Sequence, residues 1–89
     1  NVVQYSILLM MLAQVSGLEP GELVHVIADA HIYDRHIPIV EEMLKRPQYP
    51  APRVTLNPRV QDFYDFTPQD VQVEGYQTSP QIREIPVAI

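Results

Sequence analysis

The sequence predicts an α+β fold: a helix needing cover on nearly every side, a long strand, a surface helix and short strands. Three observations carry the prediction. From Val2 to Ser16 only Gln4, Ser6, Gln14 and Ser16 are polar, so the helix has no proper solvent face. From Leu23 to Tyr33, Val24, Val26, Ala28, Ala30 and Ile32 form an apolar stripe at period two. After Pro38, Glu41 with Lys45 and Glu42 with Arg46 stand at i,i+4 beside the stripe Ile37, Val40 and Leu44, the pattern of a half-exposed helix.

In chain order, residues 1–17 are a buried helix, its cover expected from sequence outside this chain or a second subunit rather than from a small helical core, and it stops at Gly17 because a left-handed residue closes it. Glu19-Pro20-Gly21-Glu22 is a turn. Residues 22–33 are a strand belonging to a larger sheet, and residues 37–46 a surface helix with Pro38 in its first turn. Pro47 to Pro52 is a stiff connector. Residues 53–76 hold short strands, the first Arg53 to Leu56, ended by Asn57-Pro58. Phe63, Tyr64 and Phe66 are expected to pin the polar stretch between them to the core. Thr67-Pro68-Gln69-Asp70 reads as a capped helical turn, and Val71 to Glu74 alternates like a strand. Residues 77–89 are a tail without a clear element. Its apolar end, Ile85-Pro86-Val87-Ala88-Ile89, is expected to dock, in the core or over a ligand.

Composition excludes several functions. With 89 residues the chain is one small unit, and a formal charge of -5 with six Lys plus Arg and no basic run argues against nucleic acid as a partner. No cysteine is present, so disulfides, thiolate metal sites and a cysteine nucleophile within these residues are excluded. The expectation for location is cytoplasmic. The opening apolar stretch is shorter than the ~20 residues that span a bilayer, so no membrane partner is expected. The chain opens at Asn1 on an abrupt apolar helix, which suggests that residues precede it in the natural protein.

Asp29, His31 and Tyr33 share one face of the 22–33 strand, roughly 7 Å between neighbours. A carboxylate, an imidazole and a phenol so placed suit a hydroxylated ligand or a hydrogen-bonded polar cluster. Metal is not expected, because His25 lies about 20 Å along the strand from His31 and Asp29 with His31 makes only two ligands. No serine sits in a nucleophile-elbow context, and three glycines build no phosphate loop.

Gly21-Glu22-Leu23-Val24-His25, Asp29-Ala30-His31-Ile32-Tyr33 and His36 closely resemble the thymidylate synthase segment that leads into its nucleotide-binding strand. Phe66-Thr67-Pro68-Gln69-Asp70, Glu74-Gly75-Tyr76 and the ending Pro86-Val87-Ala88-Ile89 continue the likeness in order and spacing. Asn1-Val2-Val3-Gln4-Tyr5 looks like the start of that family's long buried helix, although Gln4 replaces a small polar residue and Thr78-Ser79-Pro80 lacks a histidine common there.

The resemblance implies the C-terminal part of an enzyme that methylates dUMP to dTMP, with methylenetetrahydrofolate as carbon donor and reductant and no metal. It implies substrate binding by Asn1, whose amide would read the uracil N3 and O4 edge, and by His31 and Tyr33, which would bind the deoxyribose 3′-hydroxyl. Ala88 and Ile89 match the residues that close over the folate. Asn1 is equally a residue type that caps helices. The resemblance further implies a homodimer, with the nucleophilic cysteine upstream in the same polypeptide and the phosphate-binding arginines upstream and partly from the partner subunit. The isolated segment is therefore expected to be inactive. The alternatives are a non-catalytic remnant that binds a nucleotide or a partner, and a segment of a pyrimidine hydroxymethylase, in which an aspartate replaces the asparagine.

Overall fold

A computed structural model describes residues 1–88; Ile89, one of the two expected folate contacts, lies outside the described residues. The order is α1 (Val2–Ser16), a 3₁₀ turn at Asp34–His36, α2 (Ile37–Lys45), β1 (Arg53–Leu56), 3₁₀ turns at Phe63–Asp65 and Pro68–Asp70, and β2 (Val71–Glu74). The chain is thus a mixed helix and sheet structure, with β1 and β2 as a two-stranded antiparallel sheet.

Helix α1 starts and stops where the residues dictate. Leu, Met, Ala and Gln are strong helix formers and fill most of it. The Asn1 carbonyl accepts from the Tyr5 N–H at 3.2 Å. At the other end Gly17 is left-handed, φ 69°. That geometry lets Gly17 N–H donate to Gln14 O at 3.2 Å and Leu18 N–H to Ala13 O at 2.9 Å, which satisfies two terminal carbonyls.

The loop between β1 and β2 is closed by side chains. Asp70 accepts from the Thr67 N–H at 2.7 Å and its hydroxyl at 2.9 Å, and from Asn57 Nδ2 at 2.9 Å. The Asn57 amide, followed by these bonds to Thr67, holds the Asp70 carboxyl below its ordinary value. Its contribution is therefore present above the ordinary carboxylate pKa and is lost as pH falls through the lowered one. The strands pair in the register Arg53↔Glu74, Val54↔Val73, Thr55↔Gln72 and Leu56↔Val71, which sets opposite charges across the end of the ladder.

Gln14 ties α1 to this loop. Its Nε2 donates to Asn57 O and to Val60 O, each at 2.9 Å. Gln14→Leu in the complete polypeptide is expected to lower the unfolding free energy by about 1–2 kcal/mol, because two carbonyls lose a shared donor. Urea unfolding monitored by circular dichroism measures this, and an unchanged midpoint would remove Gln14 from the structural account.

Three expectations are corrected. Residues 22–33 form no strand: the backbone is irregular and turns at Ala28–Asp29. A strand exists only beside a neighbour, and the sheet of this chain contains β1 and β2 alone among the described residues. Helix α1, by contrast, was not expected to find full cover within this chain, and it does not: Ala13 is its one buried residue and Val3 is 71% exposed. Tyr64 pins nothing, at 90% exposed, although Phe63 and Phe66 are half-buried and meet edge-on at 6.5 Å. On α2 the expected inward stripe is open at Ile37 and Leu44, and of its three residues Val40 alone is half-buried. Of its two charge pairs, Glu42 and Arg46 meet at 3.1 Å.

The chain does not close a core of its own. Its radius of gyration is 17.0 Å, against roughly 12 Å for a compact domain of this length. Its accessible surface is 8068 Å², about half as much again as a compact protein of this size exposes.

Candidate functional site

After the turn at Ala28–Asp29 the chain places three rings in succession. His31 Nδ1 stands 2.8 Å from the Asp29 carbonyl. A carbonyl only accepts, so Nδ1 carries the proton, and in the neutral ring Nε2 is left as an acceptor. The Asp29 carboxylate lies 3.6 Å from the same nitrogen and reinforces that orientation.

Tyr33 is extended, φ −70° and ψ 144°, immediately before the Asp34–His36 turn. Its ring meets His31 edge-on at 5.1 Å and His36 edge-on at 5.7 Å. The His36 N–H donates to Tyr33 O at 2.8 Å, so the turn itself sets the second approach. An imidazole with one acceptor nitrogen and a phenol thus stand as neighbouring rings on one short segment. Together they can accept from and donate to a single hydroxyl group.

The C-terminal segment reaches this place. His36 Nε2 lies 2.7 Å from Pro86 O, and Arg35 Nη1 donates to Val87 O at 3.2 Å. Ala88 lines a cleft of about 160 Å³ with Tyr33, Asp34 and Arg35. The tail is therefore held beside Tyr33 by its main chain, while the apolar side chains of Ile85 and Val87, expected to dock, stay exposed.

Asn1 is not joined to the others by any hydrogen bond or cleft described for them. It is exposed at the start of α1 and its side chain makes no capping hydrogen bond; the carbonyl alone serves the helix. Thus the amide is not committed to the helix end. A separate apolar cleft is lined by Tyr5, Leu8, Leu9 and Leu12 of α1 and by Leu23 to Val26. His25 belongs there, away from the three rings. Among the described residues no three His, Asp or Glu side chains converge as metal ligands, and no helix is long and apolar enough to cross a membrane.

A sequence model of the family described as thymidylate synthase matches residues 1–89. The chain belongs to the thymidylate synthase family. Its structure is similar to that of the thermostable thymidylate synthase A from Bacillus subtilis, with a TM-score of 0.89 and 43% identity over 92% of this chain. The chain spans 30% of the length of that thymidylate synthase.

Arg35 and His36 were missed as tail contacts by sequence reasoning. Both reach backbone carbonyls some fifty residues away. A carbonyl acceptor leaves no trace in residue type, so no sequence signal could have found the pairing.

Proposed function

We propose that these residues supply the nucleoside-reading and tail-closing part of a thymidylate synthase, which converts dUMP to dTMP with methylenetetrahydrofolate as co-substrate. The observation that carries the reading is the pairing of His31 and Tyr33 at 5.1 Å, with the His31 proton committed to Asp29. His31 Nε2 accepts the proton of the deoxyribose 3′-hydroxyl, and the Tyr33 hydroxyl donates to its oxygen. One hydroxyl then satisfies both groups. Asn1 reads the uracil edge, its amide N–H toward O4 and its carbonyl toward N3–H. As charge develops on O4 during attack, that N–H stabilises it. Ala88 and Ile89 close over the folate and exclude water.

The chain contains no cysteine, so the group that adds to uracil C6 comes from outside these residues. The phosphate also needs cations that six Lys plus Arg, none in a cluster, do not supply. Both points support a role within a longer polypeptide, paired with a second subunit in the manner of the family. The open apolar faces support it as well. A pyrimidine hydroxymethylase is the second reading; Asn1, rather than an aspartate, favours uracil.

The test uses the complete polypeptide and a 3′-deoxy analogue of dUMP. The parent protein is expected to bind dUMP about tenfold tighter than the analogue, and Tyr33→Phe to erase most of that preference, since one good hydrogen bond is in question. Calorimetric dissociation constants measure it. A preference unchanged in both Tyr33→Phe and His31→Ala would defeat the sugar assignment.

A further inference from the structure

We propose that Arg35 and His36 are positioning residues that strap the C-terminal segment to the wall of the sugar site; this rests on the nucleotide reading of His31 and Tyr33. Adjacent side chains hold consecutive carbonyls: His36 at Pro86 and Arg35 at Val87, at 2.7 and 3.2 Å. Because Pro86 O can only accept, His36 Nε2 bears the proton and acts as the donor. The same ring stands edge-on to Tyr33 at 5.7 Å and 89°. One imidazole therefore contacts both the sugar-binding phenol and the tail.

Two further features fit a strap. Glu84 is left-handed at φ 57°, a conformation that non-glycine residues adopt only when surroundings impose it, and it lies just before the strapped carbonyls. Upstream, Arg46 Nη1 donates to Pro80 O at 2.6 Å and fixes the start of the tail against the end of α2. All three donors come from residues 35–46, and all three acceptors are main-chain oxygens. Tail docking is thereby encoded in the segment after Tyr33 and is indifferent to the side chains it holds.

The experiment compares Arg35→Met, His36→Leu and His36→Gln in the complete polypeptide. The first two are expected to raise KM for methylenetetrahydrofolate about 5- to 10-fold, while KM for dUMP stays within about twofold. His36→Gln restores most of the loss, because its amide N–H reaches the same carbonyl. In the ligand-free protein, the Val87 and Ala88 amides are expected to exchange faster in Arg35→Met and His36→Leu. Unchanged exchange and unchanged folate KM would overturn the proposal, as would an equal loss in kcat and both KM values that His36→Gln fails to rescue. Ligand-free exchange does not depend on the nucleotide reading, so failure of the Tyr33→Phe test and failure of the strap remain distinguishable.

Discussion

Purified alone, the 89-residue chain is expected to release no tritium from dUMP labelled at C5, and to melt without a cooperative transition. The first half follows from chemistry. The family reaction begins with covalent addition at C6, and none of the side chains here is a thiolate. On the proposed reading, hydrogen bonds from Asn1, His31 and Tyr33 would orient a nucleotide; they would not supply an electron pair to C6. Release proportional to protein concentration, in material freed of host enzyme, would contradict the expectation.

The second half follows from area. Cooperative melting requires a core whose parts are lost together. Among the described residues one alanine is buried, while Val24, Val26, Leu44 and Val87 are each at least 78% exposed. The loss of chain entropy on ordering, about 1–2 kcal/mol per residue for the backbone alone, has little apolar burial to offset it. Strong binding of a hydrophobic dye and a featureless near-ultraviolet spectrum are the expected signs. A sharp melt with a calorimetric enthalpy in line with chain length would show that these residues fold without cover.

What the residues announce and what they hide divides along the range of the interactions. Gly17 ends α1 in the conformation its type favours, and Thr67 to Asp70 makes the capped turn that its spacing indicates. Val71 to Glu74 is the strand its alternation suggests, and Pro38 opens α2. Each depends on bonds spanning only a few residues. Residues 22–33 fail for the opposite reason: their period-two stripe is a request for neighbours, and among the described residues no strand lies beside them. The site was half legible. His31 and Tyr33 stand together, but the turn at Ala28–Asp29 and the 3₁₀ turn at Asp34–His36 bring them together, rather than a regular strand. Ala88 reaches the same cleft because Arg35 and His36 hold the carbonyls before it, and no residue in the tail records that.

Replacing Asn1 by aspartate is expected to reverse base preference in the complete polypeptide. Uracil presents an acceptor at O4 beside a donor at N3; an amide offers the matching donor and acceptor. An ionised carboxylate offers two acceptors and sets one of them against O4, while cytosine presents a donor at its C4 amino group and an acceptor at N3, the pattern that a carboxyl group protonated on one oxygen matches. A site built around one hydrogen-bond pattern rejects its mismatch strongly, because the buried partner is left unpaired. Asn1→Asp should therefore lower kcat/KM for dUMP by about 100-fold or more and raise turnover or binding of dCMP. The amide is available for this task, since the helix uses only the Asn1 carbonyl. The ratio of kcat/KM for the two nucleotides is the quantity to measure. An unaltered ratio with a fall in unfolding free energy would make Asn1 a helix-starting residue and nothing more, and base reading would have to be sought elsewhere in the polypeptide.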